Sequence, residues 1–545
     1  MAGSRDFNEK QTRSLRLPER IEGPGLLVGW SLAVEAARPP LGFSFGSPEL
    51  SPSNGFLDPI LLSGEGHLIT IAPTGQGKGR CCIIPALLRH DGPVIVIDPK
   101  GENFAVTARR RREMGQKVVL LDPFGITGHP SDAFNPLDVI DAASVESVDL
   151  ATRFATSLAD YSQSNPQNSY WYQRATFLLT SLMLHVCANS DPARRTFDSI
   201  RATLTQLAGA AREGDPSPEA ARQIAEIGLS PHPVAREAMS LLQSGAREGL
   251  GSILSMTENG VGFLRGPQVA AAVGRTSFDL SAITRGDPLS LYLVVPPHHL
   301  ESHGRLLRLW VTSLVFLLTR RRGRPKKSTL FLLDEAAQLG PLAELRQAVT
   351  LLRGYGVQTW SFWQDASQLK RLYPDDWPTI VNNCAVLQCF GAQNRLAADG
   401  MAELVAIDPH AHLPSHERGA FESFVRTSAD RILALNPYEM ALQIGGRPPV
   451  IARKPDYLSD PSFAAQHDSN PFHDPDRDIM PPPAPRMKLH DGLDIEQPPP
   501  PEPLRYAART NQPPIASGSE SEAPERRKLD RELLERLLGL WTAES

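Results

Sequence analysis

The chain has 545 residues, of which 41% are hydrophobic and 21% charged, so it is long enough to form two or three domains with a large core. Its formal net charge of −5 excludes a basic protein that coats nucleic acid, so any DNA contact must come from a local basic patch. The five cysteines form no C-x-x-C pair and their number is odd, which argues against a disulfide framework or zinc site and fits a reducing cytoplasm.

The first part of the chain is polar and irregular. Residues 1–40 are predicted to form an N-terminal arm, and the Gly-, Pro- and Ser-rich stretch up to 66 is expected to contain short strands. There is no signal-peptide pattern, and the best apolar stretches, 25–34 and 309–318, are shorter than the roughly 20 residues that a membrane span needs. We therefore predict no transmembrane helix.

The first strong motif joins a strand, a glycine-rich loop and a helix. The apolar run 67–71 is followed by APTGQGKG and then by a helical pattern through Leu88. Such a loop turns backbone N–H groups into one concavity at a helix N-terminus, where the helix dipole also favours phosphate. Lys78 would add a cation for the β- and γ-phosphates of ATP. The predicted ATP-binding residues are Thr74, Gly75, Gln76, Gly77, Lys78, Gly79 and Arg80.

This loop departs from the strict pattern G-x-x-x-x-G-K-[ST] at two positions. Ala72 replaces the first glycine, and Gly79 replaces the serine or threonine whose hydroxyl normally binds Mg²⁺. An ordinary glycine-rich turn between a strand and a helix is the alternative that the loop alone leaves open.

Strands and helices then alternate as in a parallel, doubly wound α/β sheet. Apolar strands at 93–98 and 117–121 end near Asp98 and Asp122, with a helix at 104–115 between them. Helical periodicity alone follows, with helices predicted at 148–158, 171–186, 199–208, 218–228 and 235–258. Further α/β pattern follows, with strands at 289–295, 329–333, 357–363, 386–390 and 440–444 and a helix at 305–320. We therefore predict a doubly wound α/β domain formed by residues 41–136 and 276–463 and interrupted by an all-α domain at 137–275.

The segment 327–338, KSTLFLLDEAAQ, has the Walker B arrangement of an apolar strand that ends in two acids. Asp334 would hold Mg²⁺, directly or through water, and Glu335 would orient and polarise the attacking water. An acidic strand end that caps the next helix is the alternative.

Two more residues near these strands are candidates for catalysis. Gln364 ends the next strand and would lie beside the γ-phosphate; the alternative is an ordinary loop glutamine. Arg353 lies between the two strands and would face the ATP of an adjacent subunit as an arginine finger, whereas the alternative is a solvated surface arginine.

The remaining polar features are basic clusters and a proline-rich tail. The clusters 109–112 and 320–327 are interpreted as solvated helix ends, or alternatively as contacts with the phosphate backbone of DNA. Residues 464–525 are predicted to be a disordered linker because they would bury too little apolar surface to fold. An amphipathic helix at 526–545 would be either a frayed terminus or a docking element.

Together these motifs resemble the TraG-like coupling proteins of conjugative type IV secretion, which belong with the FtsK/HerA-type ring translocases. The resemblance covers about residues 40–463. It is carried by APTGQGKG, VIDPKGEN at 96–103, FNPLD at 134–138, Tyr170-Trp171, LLDEAAQLG, and LLRGYGVQTW with Gln364.

The resemblance implies a RecA-like ATPase that assembles as a hexameric ring with ATP and Mg²⁺ between subunits. Lys78, Asp334 and Glu335 would come from one subunit and Arg353 from its neighbour. The ring would couple hydrolysis to the passage of single-stranded DNA with its relaxase, or of a secreted protein, toward type IV secretion channel subunits at the inner membrane. Members usually begin with transmembrane helices, whereas none is predicted in this chain. We therefore expect it to be cytoplasmic and peripheral at the bacterial inner membrane, recruited through a separate membrane anchor.

Two other functions stay open at this point. One is a double-stranded DNA pump of the FtsK/HerA type that is not attached to secretion. The other is a recruitment scaffold that binds ATP without hydrolysing it. The presence of both Asp334 and Glu335 favours turnover.

Overall fold

The structure, a computed structural model, describes residues 17–31, 43–45, 57–159, 169–188, 191–213, 217–244, 247–340, 343–405, 428–445, 447 and 449–474. Contacts divide the chain into the units 1–485 and 486–545, and every described residue lies in the first. The predicted linker beyond 474 and the predicted helix at 526–545 therefore lie outside the described residues. Within the described part, no helix is both long enough and apolar enough to cross a membrane.

A single sheet of twelve strands organises the described part of the chain. The strands are β1 (Leu26–Ser31), β2 (Phe43–Phe45), β3 (Pro59–Leu62), β4 (His67–Ile71), β5 (Val94–Ile97), β6 (Lys117–Leu121), β7 (Leu289–Leu293), β8 (Thr329–Leu333), β9 (Val357–Trp363), β10 (Cys384–Phe390), β11 (Glu439–Ile444) and β12 (Val450–Arg453). Their order across the sheet is β2-β3-β1-β12-β11-β10-β4-β9-β8-β5-β7-β6.

The sheet has a parallel half and an antiparallel half. The seven strands from β10 to β6 in this order pair in parallel. The other five, β2, β3, β1, β12 and β11, pair antiparallel to their neighbours. Strands β4, β5, β7, β8 and β9 are buried along their whole length, as expected for parallel strands with both faces covered.

Helices cover the sheet and fill the region between β6 and β7. The α-helices are α1 (Ile84–Arg89), α2 (Glu102–Glu113), α3 (Ser147–Leu158), α4 (Ser169–Ala188), α5 (Phe197–Glu213), α6 (Pro218–Gly228), α7 (Pro233–Ser244), α8 (Arg247–Val261), α9 (Pro267–Val273), α10 (Ser281–Arg285), α11 (Pro297–Thr319), α12 (Ala343–Leu351), α13 (Ala366–Leu372), α14 (Trp377–Asn382) and α15 (Arg395–Val405). Helices α3–α9 lie within the predicted all-α domain, 137–275, and the short helix α10 follows it before β7.

Two helices differ from their sequence predictions. The single helix predicted at 235–258 corresponds to two helices, α7 and α8, and residues 245 and 246 between them lie outside the described residues. Helix α11 begins at Pro297, eight residues before the predicted start at 305, because proline suits the first position of a helix. The indole of Trp310 in α11 donates a hydrogen bond to the Phe134 carbonyl at 3.0 Å and ties the helix to the segment after β6.

The sheet extends beyond the boundaries that the sequence predicts. Strand β1 lies inside the predicted arm 1–40, yet it is fully buried between β3 and β12. At the other end, residues 464–474 are described and contact α2, where Asp468 accepts a hydrogen bond from Arg109 Nε at 2.6 Å. Residues 464–474 of the predicted linker are therefore held by polar contacts rather than by apolar burial, and the rest of that segment lies outside the described residues.

Candidate functional site

The glycine-rich loop follows the buried strand β4 and leads into the helix of the predicted motif. Gly75 and Gly77 have φ values of +82° and +86°, a backbone region that other residues rarely adopt. Lys78 caps a π-helical turn, Gly79–Ile83, which continues directly into α1. The backbone N–H of Cys81 donates to the Gly77 carbonyl at 2.7 Å. The loop thus has the tight turn and helix N-terminus that phosphate binding requires.

Three predicted site residues form one hydrogen-bonded chain. Lys78 Nζ lies 3.0 Å from Oε1 of Glu335, and Gln364 Nε2 donates to Oε2 of the same carboxylate at 2.8 Å. Register explains the meeting, because β9 lies between β4 and β8 and all three strands end at the same edge of the sheet. Lys78 and Glu335 are 257 residues apart in sequence, and Glu335 and Gln364 are 29 residues apart.

Glu335 has a strained backbone that serves this contact. Its φ of +53° is one of two positive values among described residues other than glycine. Although Glu335 precedes the short 3₁₀ helix Ala336–Leu339, its side chain makes no capping hydrogen bond. The helix-capping interpretation therefore does not describe Glu335, whose carboxylate binds Lys78 and Gln364 instead.

Two further acids lie at the ends of neighbouring strands. Burial raises the pKa of Asp334 to about 7, the negative charge of Glu335 adds to the rise, and Lys78 opposes it. Burial also raises the pKa of Asp98 to about 7, although N–H groups of Phe104 and Asn103 bind its carboxylate. Asp98 thus binds N–H groups in the first turn of α2, whereas Asp334 directly follows β8, beside Glu335.

The residues present fit a nucleotide with Mg²⁺. Among the described residues, no group of three or more His, Cys, Asp and Glu side chains forms a metal site of its own. Mg²⁺ in nucleotide sites is usually held by one or two carboxylates together with phosphate oxygens and water. Asp334 directly follows β8, beside Glu335, whose carboxylate contacts Lys78 of the loop, so its carboxylate fits this role by position.

The other predicted residues occupy different positions. Thr74 and Gly75 are exposed at the tip of the loop, while Gln76, Gly77 and Gly79 are partly exposed. Arg80 directs its guanidinium to Asp456, with Nε and Nη2 at 2.7 and 2.6 Å from the two carboxylate oxygens. The predicted ATP contact of Arg80 would therefore have to come from its backbone.

Arg353 lies at the opposite edge of the sheet from Lys78. It belongs to the short 3₁₀ helix Leu352–Tyr355 just before β9, and it is exposed. Burial lowers the pKa of His67, at the start of β4, to about 4, and the charge of Arg353 adds to this effect. A five-residue strand spans about 16 Å, so Arg353 cannot reach the phosphate loop of its own chain.

Sequence reasoning missed the residues that brace the loop from the C-terminal side. Lys454, just after β12, is buried and donates from Nζ to the Gln76 carbonyl at 3.2 Å. Asp456 holds Arg80, and Asn470 Nδ2 donates to Glu102 Oε1 at 2.7 Å. The one available signal was the charged pair in Lys-Pro-Asp after a strand, which is too common to identify a site.

Two arginines of the basic clusters are internal supports. Arg111 is fully buried and donates to the Ser290 hydroxyl at 2.9 Å and the Gly92 carbonyl at 2.6 Å. Arg321 is buried as well and donates to the Thr329 hydroxyl at 2.7 Å. For Arg111 and Arg321 both interpretations, a solvated helix end and a contact with DNA, are therefore wrong, because these two side chains satisfy carbonyl and hydroxyl groups inside the fold.

Comparisons with known proteins agree with these features. The profile of the family described as "Type IV secretory system Conjugative DNA transfer" matches residues 33–405, more than half of the chain. The conjugal transfer protein TraG of Escherichia coli is 27% identical over 74% of this chain and 69% of its own length. The type IV secretion system-coupling protein VirD4 of Bartonella quintana is 26% identical over 56% of this chain and 47% of its own length.

Solved structures of a coupling protein share the fold. The trigonal, sulphate-bound form of the conjugative coupling protein TrwB matches with a TM-score of 0.54 and 14% identity, over 82% of this chain and 97% of that one. The plasmid coupling protein TrwB in complex with ADP and Mg²⁺ matches with a TM-score of 0.51 and 16% identity, over 73% and 88%. The predicted α/β, RecA-like P-loop fold is confirmed.

Proposed function

This chain belongs to the conjugative DNA transfer family of type IV secretory systems, and from that premise we propose that it hydrolyses ATP to drive nucleoprotein or protein substrate toward a secretion channel. The observation that carries the proposal is the contact of Glu335 with both Lys78 and Gln364, because one carboxylate then joins the phosphate loop, the Walker B strand and the strand between them.

The proposed chemistry begins with an exchange of partners at Lys78. When ATP binds, the ammonium group leaves Glu335 for the β- and γ-phosphate oxygens, which are the stronger anion. Glu335 then has a free carboxylate oxygen that accepts a hydrogen bond from the attacking water. Gln364 holds the other oxygen and thereby fixes the direction of the first.

Asp334 would hold the Mg²⁺ of the nucleotide, directly or through water. The bound metal would neutralise charge that develops on the phosphate oxygens. We assign the remaining protein contacts of the phosphates to the backbone N–H groups of the loop 74–80, whose glycines allow the close approach.

Arg353 completes the site from a neighbouring subunit. Because it lies at the amino edge of the sheet and is exposed, it is available to a second copy and not to its own loop. A head-to-tail contact of this kind forms a ring when its rotation closes, so we propose a homo-oligomer, with a hexamer as the family expectation.

The wider assignment follows the family. We assign the motor to residues 41–136 and 276–463 and the substrate-facing all-α domain to 137–275. The substrates would be single-stranded DNA with its relaxase or a secreted protein, and the receiving partners would be type IV secretion channel subunits at the inner membrane.

Crosslinking in the cell that encodes the chain tests this function. Wild type, Lys78→Ala and Glu335→Gln are captured after crosslinking, and relaxase and channel subunits are quantified together with substrate transfer. We expect both variants to retain the partners and to lose transfer. Loss of partners in wild type together with strong stimulation of hydrolysis by duplex DNA would favour the free DNA pump, and transfer by Glu335→Gln at the wild-type rate would favour the scaffold.

A further inference from the structure

The missing hydroxyl of the phosphate loop leaves a space that another side chain approaches. Gly79 stands where a serine or threonine normally supplies a ligand to Mg²⁺. A Cβ built on Gly79 would lie 4.0 Å from Oε1 of Glu102, the first residue of α2. A hydroxyl oxygen at this position would extend about 1.4 Å beyond that Cβ, so the Glu102 carboxylate borders the volume that the hydroxyl would fill.

Glu102 begins the helix that follows β5, and Asp334 directly follows β8, the strand that pairs with β5. The two acids therefore lie at the same edge of the sheet. Asp98 is not free for a metal, because Asn103 N and Asn103 Nδ2 donate to its Oδ1 at 3.3 and 3.2 Å and Phe104 N donates to its Oδ2 at 2.8 Å. Among the acids of the described site, Glu102 is therefore the one available to act beside Asp334.

A third contact fixes the carboxylate in place. Asn470 Nδ2 donates to Glu102 Oε1 at 2.7 Å, and the same amide donates to the Tyr457 hydroxyl at 3.0 Å. Oε1, the oxygen nearest Gly79, is thus held from the C-terminal side, which fixes the Glu102 carboxylate beside the loop. Contacts of this kind orient carboxylates around metals.

We propose that Glu102 replaces the absent loop hydroxyl and is the second protein group, with Asp334, that holds the Mg²⁺ of the bound nucleotide, directly or through one water. The inference deepens the proposed function, on which it depends. A carboxylate oxygen is a harder, charged ligand than a hydroxyl and suits Mg²⁺, which accepts one or two carboxylates beside phosphate oxygens. A chain with glycine after the loop lysine would in this way keep a second protein ligand.

A binding titration tests the role of Glu102 without measuring turnover. A fluorescent, non-hydrolysable ATP analogue is titrated into the full chain at fixed Mg²⁺ concentrations and in EDTA, for wild type and Glu102→Gln. The amide of glutamine still accepts from Asn470, so the fold is kept while the charge is lost. We expect the Mg²⁺ concentration at half-saturation to rise about 10-fold, with affinity in EDTA unchanged.

Two further variants distinguish a role of Glu102 in metal binding from a general effect of its charge and from an effect on the fold. Glu113→Gln, at the exposed end of the same helix, removes the same charge away from the site and is expected to leave the Mg²⁺ requirement at the wild-type value. Gly79→Ser in the Glu102→Gln background restores the hydroxyl in a position with room for it. We expect this double variant to recover the Mg²⁺ requirement to within about 3-fold of wild type.

The outcomes are distinguishable. If wild type shows no Mg²⁺-dependent binding of the analogue, the proposed function fails and the inference fails with it. If wild type binds but Glu102→Gln has the same Mg²⁺ requirement, the inference alone is overturned. A loss in Glu102→Gln that is equally large in EDTA, or that Gly79→Ser does not recover, also overturns it, because the residue would then act on the fold and not on the metal.

Discussion

The two halves of the sheet contribute to the nucleotide site in different ways. The parallel half places Lys78, Glu335 and Gln364 at the carboxyl ends of its strands, where they contact one another. The antiparallel half carries none of these groups, but the chain that leaves its strand β12 returns to the loop and holds it through Lys454 and Asp456. Reactive groups therefore come from parallel strand ends, and supports come from the antiparallel side.

This difference follows from connectivity. Parallel strands with helical crossovers all end at one edge, so their following residues converge on a single crevice. Antiparallel strands have no such common end, and a chain that leaves the last of them can pass along the outside of the loop. Apart from Lys78, whose charge also binds the phosphates, variants on the parallel side should change turnover, whereas variants on the antiparallel side should change affinity or stability.

The largest effect should come from Arg353. This residue is an exception to the comparison, because it belongs to the parallel half but lies at the amino edge of the sheet and not at the carboxyl edge. Arg353→Ala should lower the rate of ATP hydrolysis about 10³-fold, because the charge that stabilises the transition state is lost. Mixing it with inactive Lys78→Ala should restore activity, since some interfaces then combine an intact loop with an intact arginine. No recovery at any mixing ratio would contradict a role in the neighbouring subunit.

Glu335→Gln should lower the rate of ATP hydrolysis about 10²- to 10³-fold and leave ATP binding largely intact. The isosteric amide keeps contact with Gln364 but cannot polarise the attacking water. Phosphate release and analogue binding are measured in parallel, with Glu113→Gln as the control for loss of an acid. Equal losses of binding and turnover would show that Glu335 is structural.

Asp456→Asn, on the antiparallel side, should lower the free energy of unfolding by about 2 kcal/mol, because one charged partner of the buried contact with Arg80 is removed. Urea denaturation measures the change. Glu113→Gln breaks an exposed ion pair with Arg109 and should leave the midpoint unchanged. If Asp456→Asn were as stable as wild type and bound ATP with normal affinity but did not hydrolyse it, Asp456 would have a role in catalysis. That result would contradict the assignment of supporting residues to the antiparallel side.

The smallest effect is expected at Lys454. Lys454→Gln should weaken nucleotide binding about 5-fold, or about 1 kcal/mol, because the Gln76 carbonyl loses a charged donor that helps keep the loop in shape. The rate at saturating ATP should be unchanged. Lys117→Gln, at an exposed lysine, is the control. Identical nucleotide affinities of the two variants would show that Lys454 does not contribute to nucleotide binding.

The sequence predicted the parallel half well because each strand is an apolar run that ends in a polar residue or turn. It also predicted that Lys78, Glu335 and Gln364 would meet, since strand ends in one sheet converge. Strands β1, β3 and β12 were missed or left vague because four to six residues without a following motif carry little periodic signal.

Polar contacts between residues far apart in the chain could not be predicted from the sequence, for a different reason. Arg80 and Asp456 are 376 residues apart, and nothing in local composition connects them. The burial of Arg111 and Arg321 was likewise hidden, because a run of arginines looks solvated until the carbonyl groups around it are known.

The most direct test of the account is the affinity of the chain for ATP with and without the Lys78 ammonium group. A fluorescent ATP analogue is titrated in Mg²⁺ into wild type and Lys78→Ala, with Lys117→Gln as the control. The account predicts saturable binding to wild type and control and a loss of at least about 10-fold in Lys78→Ala. Equal affinity of wild type and Lys78→Ala would contradict a nucleotide site at this loop.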